Sequence, residues 1–157
     1  MTGTAEGMFS PDSDTTRGML VTMLWRLEKE PAAKKTASFT DVASGSWYDE
    51  AVAWAQEKGI AEGMGDGTFA PNRKVTREQL AAFLYRYAQY KGYDLTGKAE
   101  LAGFVDQPSS WAVDDVKWCV GNGIINGVGS NRLDPLGNAT RAQMAAMFHR
   151  FMDRFNV

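Results

Sequence analysis

Three arginines directly follow a threonine at matched points of the chain: Thr16-Arg17, Thr76-Arg77 and Thr140-Arg141. Each threonine opens a stretch of helical period, so each arginine falls in a first turn, at the positive end of a helix dipole. That placement costs about 0.3–1 kcal/mol where an acidic residue would stabilise. An anion would account for it, because free backbone N–H groups and a guanidinium fork together make a carboxylate or phosphate site. A salt bridge to a carboxylate of a neighbouring segment, such as Asp41 or Asp106, accounts for it as well, and the two are compatible. On dipole grounds alone, Arg77→Ala should weaken anion binding and leave helix stability nearly unchanged.

Asp41 and Asp106 sit in Phe39-Thr40-Asp41 and Phe104-Val105-Asp106. They could accept hydrogen bonds from sugar hydroxyls or close a turn. Trp47 and Trp111 follow shortly after, each ahead of an apolar helical pattern. A sugar ring could stack on them, or they could serve as half-buried anchors. Trp54 and Trp118 lie mid-pattern beside alanine and valine and read as core.

Other chemistry is poorly supplied. His149 is the one histidine and Cys119 the one cysteine, so no histidine pair, intrachain disulfide or cysteine-based metal set can form. A buried, inert thiol is the expectation for Cys119. Asp12-Ser13-Asp14 begins like a calcium loop, but Arg17 stands where that loop requires glycine and Met23 where it requires glutamate. Gly63-Met64-Gly65-Asp66-Gly67 does not follow a strand, which argues against a dinucleotide fingerprint. No catalytic residue, metal or cofactor is assigned, and the chain reads as a binding module, not an enzyme.

The elements that must position these residues come from internal repetition. The fifteen-residue unit Gly63–Arg77 recurs without gaps as Gly3–Arg17 and Gly127–Arg141, its threonines 60 and 64 residues apart. Each unit is a glycine-rich loop closing on a helix start. Thr76 with Gln79 and Thr140 with Gln143 fit capping boxes; Thr16-Arg17-Gly18-Met19 lacks the partner residue. Met19, Leu20, Met23, Leu24 and Leu27, then Leu80, Phe83, Leu84 and Tyr87, then Met144, Phe148, Phe151 and Met152 form three apolar stripes. Ser46 is a plausible N-cap for a further helix carrying Ala51, Val52 and Trp54, and Gly59 a plausible residue beyond its end. Phe69 should point inward. The stretches 28–36 and 92–103 read as linkers.

The domain layout is therefore one 157-residue module: the second half of a first repeat over 1–27, a second repeat over 39–92 and a third over 104–155. About 22 residues of an upstream half-repeat are expected from the repeat length. They could be cleaved, omitted, or supplied by another chain. No signal segment is visible at the start.

With 17 Lys and Arg, 19 Asp and Glu and a formal net charge of −2, the chain lacks the electrostatic footprint of a nucleic-acid binder. No apolar run reaches membrane-spanning length. An apolar fraction of 44% suits a globular fold.

The order Phe-x-Asp, Trp, Gly-Ile, glycine-rich loop with Phe-x-Pro, and Thr-Arg covers essentially the whole chain and resembles the S-layer homology family. These landmarks recur in order in two copies, with a half copy in support. The resemblance implies an all-α fold of three helix-loop-helix pseudo-repeats in a pseudo-threefold prism, here with an incomplete first repeat. It implies a module of a surface protein held non-covalently on the bacterial cell wall or S-layer. The ligand it implies is secondary cell-wall polysaccharide, often pyruvylated, in grooves between repeats. Family roles would fall on Arg17, Arg77 and Arg141, then on Asp41, Asp106, Trp47 and Trp111. The alternative reading is a protein-interaction scaffold, with self-association through the incomplete first repeat.

Overall fold

The computed structural model describes all 157 residues, Met1–Val157. It holds five helices and no strands: α1 (Arg17–Leu27), α2 (Asp49–Glu57), α3 (Arg77–Lys91), α4 (Val113–Gly121) and α5 (Arg141–Phe155). A 3-10 turn, Ser110–Ala112, leads into α4. The expected helices are present, and no helix is long and apolar enough to cross a membrane.

Thr16, Thr76 and Thr140 are the N-caps of α1, α3 and α5. Both capping boxes form, Gln79 and Gln143 each reaching back to the threonine amide at 3.2 Å. Thr16 accepts from Met19 N at 3.3 Å without a reciprocal bond. Ser46 does not cap α2. Its hydroxyl donates to Ala43 O, the helix starts at Asp49, and the Asp49 carboxylate accepts from Gly45 N at 2.9 Å. Gly59, with φ +69°, occupies the left-handed residue beyond α2 as expected.

The chain forms two compact units, Thr15–Val75 and Met1–Asp14 with Thr76–Val157. The division runs at the Thr-Arg motifs and not through the linkers. In the first unit α1 packs on α2, and in the second α3 packs on α4. The last helix of one repeat is thus partnered by the first helix of the next, and the chain between them straps the pair.

In the first unit Leu20, Val21 and Leu24 of α1 meet Val52, Trp54 and Ala55 of α2, with Ile60 and Phe69, all fully buried. The strap is pinned by Lys34 N donating to Glu57 Oε2 at 2.7 Å and Ser38 N to Gln56 Oε1 at 2.8 Å. Trp25 Nε1 donates to Pro31 O at 2.9 Å. In the second unit Leu80, Leu84 and Tyr87 of α3 share a core with Trp118 of α4 and Phe151 of α5. Cys119 donates to Ala81 O, and burial, with Asp115 nearby, pushes its thiol pKa well up, leaving an inert group.

The second strap lies tight on α4. Ala99 N donates to Lys117 O at 3.0 Å, and a Cβ added at Gly121 would run into Gly97 O and lie 2.9 Å from Ala99 N. Gly121→Ala is therefore expected to destabilise by about 1–3 kcal/mol, despite the better helix propensity of alanine. Gly103→Ala, where nothing lies within 4 Å of the new carbon, should stay within about 0.5 kcal/mol. Thermal unfolding followed by circular dichroism compares the two.

Candidate functional site

The three helix-start arginines are buried, at 4%, 4% and 5% exposure for Arg17, Arg77 and Arg141. Each guanidinium grips the glycine-rich loop of another repeat through two backbone carbonyls. Arg17 Nε donates to Phe69 O at 2.8 Å and its Nη2 to Glu62 O at 3.0 Å. Arg77 Nε donates to Leu133 O at 2.9 Å and Nη2 to Asn126 O at 3.0 Å. Arg141 does the same to Phe9 O, at 2.8 Å, and Thr2 O. Arg17 and Arg141 also lie over the rings of Phe69 and Phe9, at 4.7 and 4.9 Å from the centroids.

The helix starts are not open anion sites. The first two amides of each helix are already taken by loop carbonyls: Arg17 N by Arg73 O and Gly18 N by Pro71 O. Arg77 N and Glu78 N donate to Gly137 O and Pro135 O, and Arg141 N and Ala142 N to Ser13 O and Pro11 O. The threonine side chain takes the third. Carbonyls of one loop segment resolve the apparent cost of a cation at a helix start, since two accept from the guanidinium and two others from the helix amides. Arg77's partners are carbonyls where the sequence offered carboxylates. Burial holds its pKa below the ordinary arginine value; Asp134 acts upward, Arg150 downward and Asp106 upward.

The aspartates hold the same loops from the other side. Asp41 accepts from Phe69 N at 2.8 Å and Ala70 N at 2.7 Å; Asp106 accepts from Leu133 N at 2.7 Å and Asp134 N at 2.8 Å. Burial acts to raise the Asp106 pKa, but the Leu133 and Asp134 amides, with Arg132 nearby, outweigh it and hold the carboxyl below its ordinary value. Ala70 and Asp134 have φ +56° and +51°, a left-handed kink that aims two successive amides at one carboxylate.

Trp47 and Trp111 are exposed, at 57% and 54%. Trp47 lies edge-on to Tyr48 at 5.0 Å and close to Gly18, where an added Cβ would sit 3.5 Å from the ring. At the matching position of α3 stands Glu78, which is buried and accepts from Ser109 N and Oγ at 2.8 Å each. These bonds fix the turn carrying Trp111.

A cleft of about 270 Å³ opens beside Arg77. Asn126, Gly127 and Val128 form one wall, and Gln143, Met147 and Arg150 of α5 the other. Arg150 Nη1 makes a long contact, 3.4 Å, to Ile124 O. Two guanidinium groups whose hydrogen bonds go to carbonyls therefore face one small cavity, an arrangement suited to a carboxylate or another compact anion.

Of the seven residues singled out by sequence, Arg77 alone lines this cleft. Asp41 and Arg17 hold one loop, Asp106 the loop that Arg77 holds and Arg141 a third, and the two tryptophans do not line the cleft. Arg150 and Glu78 escaped the sequence reading, and Gln143 was read there only as a capping residue. A signal for Arg150 was available: Arg26, Arg86 and Arg150 each stand ten residues after the cap threonine.

Residues 38–81 and 103–145 match the S-layer homology domain. The chain is 32% identical over 161 residues to the surface-layer 125 kDa protein of Lysinibacillus sphaericus, covering 99% of this chain and 13% of that protein. It is 32% identical over 158 residues to an amylopullulanase of Thermoanaerobacterium thermosulfurigenes, covering 97% of this chain and 8% of the relative. A cellulosome-anchoring protein of Acetivibrio thermocellus is 24% identical, with 94% of this chain and 34% of the relative covered. The chain thus spans a small part of each of these curated relatives.

The geometry reverses the dipole-based expectation for Arg77. Arg77→Ala leaves Leu133 O and Asn126 O without their donors and should destabilise the chain by about 1.5–3 kcal/mol. Arg77→Lys should recover little of this, because a point charge cannot reproduce the fork. Denaturant unfolding of the three proteins measures the difference.

Proposed function

The chain belongs to the S-layer homology domain family, and from this premise we propose that it anchors a surface protein to the bacterial cell wall by binding secondary cell-wall polysaccharide. The observation carrying this reading is the cleft where Arg77 and Arg150 converge. The ligand group that suits it is a small carboxylate on a sugar, such as a ketal-linked pyruvate: it can accept from two guanidinium forks, while Gln143 offers a neutral donor and acceptor to a neighbouring hydroxyl. Trp111, in the same unit as the cleft, offers an exposed ring face on which a further sugar could lie, and Trp47 offers one in the other unit.

The binding is non-catalytic in this proposal: the residues orient and pair with the ligand, and no bond is made or broken. The enzyme named among the relatives is almost entirely outside the region of similarity, since this chain covers 8% of its length. Membership of a family found in surface-layer and cellulosome-anchoring proteins places the module at the cell surface.

Arg150 tests the reading more cleanly than Arg77, because it makes one weak backbone contact and can be removed without opening a loop. Arg150→Ala should weaken co-sedimentation with purified wall material by about tenfold, the worth of one charge-assisted hydrogen bond, with unfolding little changed. Stripping pyruvate from the wall should lower wild-type binding at least as much, and the variant's binding by less, because only Arg77 is left there to lose its anion. Equal binding by variant and wild type would contradict the role given to this cleft.

A further inference from the structure

We propose that the seam between the first strap and α2 is a binding site for a sugar bearing a phosphate group. The second unit shows the same seam closed. There Ala99 N donates to Lys117 O at 3.0 Å, so the strap lies directly on the backbone of α4. Leu101 is buried, and Lys117 reaches from the helix to Glu100 of the strap at 3.0 Å.

The first seam is built from the counterparts of these residues, and each has changed. Counted from Phe39 and Phe104, Lys34, Lys35 and Thr36 stand where Ala99, Glu100 and Leu101 stand. Counted from Trp54 and Trp118, Ala53 and Glu57 match Lys117 and Gly121. An exposed Thr36 replaces the buried Leu101, and a methyl group at Ala53 replaces the long Lys117 side chain. Lys34 N donates to the Glu57 carboxylate at 2.7 Å and Ser38 N to the Gln56 amide oxygen at 2.8 Å. Two long side chains thus hold this strap where a backbone carbonyl holds the other. The seam opens into a cavity of about 530 Å³, with Lys34, Lys35, Thr36 and Ser38 on one side and Ala53 and Gln56 on the other.

Glu57, also at the wall, is answered by Lys58 at 3.0 Å and by the Lys34 amide. The cations facing the space are Lys34 and Lys35. Lys35 carries a positive charge where Glu100 meets Lys117, and the partner position holds the uncharged Ala53. Ammonium groups are compact point charges with rotating donors, the form in which lysine binds phosphate. Beside them the Thr36 hydroxyl, the Ser38 hydroxyl proton and one Nε2 hydrogen of Gln56 can meet sugar hydroxyls; the other Nε2 hydrogen goes to Ser38 Oγ at 2.5 Å. No aromatic ring lines the cavity to stack a nucleobase. Its volume suits one sugar ring with its phosphate.

The test is titration of the isotope-labelled chain with glucose-6-phosphate, with glucose and inorganic phosphate as controls. Saturable shifts of the Lys35 and Thr36 amide signals and of the Gln56 side-chain amide are expected at millimolar sugar phosphate, with each control about tenfold weaker. Lys35→Gln, at an exposed position, should weaken binding about tenfold, the worth of one charge-assisted hydrogen bond, and leave the unfolding midpoint in place. Thr36→Leu, which installs the residue of the closed seam, should remove the shifts. Signals unmoved at millimolar sugar phosphate, or equal binding by Lys35→Gln, would overturn the proposal. Inorganic phosphate binding as tightly as the sugar phosphate would also overturn it, since the cavity would then take the anion alone. Arg150, in the other unit, separates this site from the polysaccharide reading. Arg150→Ala should leave the titration unchanged, and its loss in that variant would assign the shifts to the Arg77 cleft and end this proposal.

Discussion

The constraint on which the rest depends is the fork of an arginine closing on two carbonyls of a loop in another repeat. A glycine-rich loop has few apolar side chains to bury and many backbone groups to satisfy, so it cannot hold a fixed shape by packing alone. Arg17, Arg77 and Arg141 supply two donors each from a helix start, and the first two helix amides supply two more to the same loop. The loop then caps the helix while the helix orders the loop. This reciprocity explains why a cation occupies a position that dipole arguments disfavour.

The aspartates complete the grip at two loops of the three. Asp41 and Arg17 take the amide and the carbonyl of the same residue, Phe69; Asp106 and Arg77 do so at Leu133. Such pincers make the loops rigid enough to carry a ligand site on a precise frame. At Arg77 one face of the loop turns toward Arg150, and the proposed function gives this structural arginine a second use as part of an anion-binding wall. Holding the loop and facing the cleft are compatible because Nε and Nη2 serve the first, leaving the remaining guanidinium N–H groups for the second.

The repeats, the three cap threonines, both capping boxes and the buried Trp54 and Trp118 were legible in the sequence because each has a side-chain signature at fixed spacing. The partners of the arginines were not. A backbone carbonyl leaves no mark on residue identity, so only carboxylates and external anions could be considered beforehand. For the same reason the occupied amides at the helix starts were invisible. Ser46 looked like a cap by residue type, but Asp49 was better placed to take the Gly45 amide. Arg150 was hidden differently: its recurrence with Arg26 and Arg86 was present, yet an arginine on the outer turns of an amphipathic helix reads as solvated surface until a cavity is seen beside it.

The most direct measurement is the guanidinium nitrogen–proton spectrum of the chain during titration with a pyruvylated wall-glycan fragment. If Arg77 both holds its loop and faces the ligand, the Arg150 signal and the Arg77 signals should shift on binding. The Nε protons of Arg17 and Arg141, bound to Phe69 O and Phe9 O, should stay in place and exchange slowly throughout. Saturable binding that leaves Arg77 and Arg150 unmoved would contradict the assignment of the anion to this cleft.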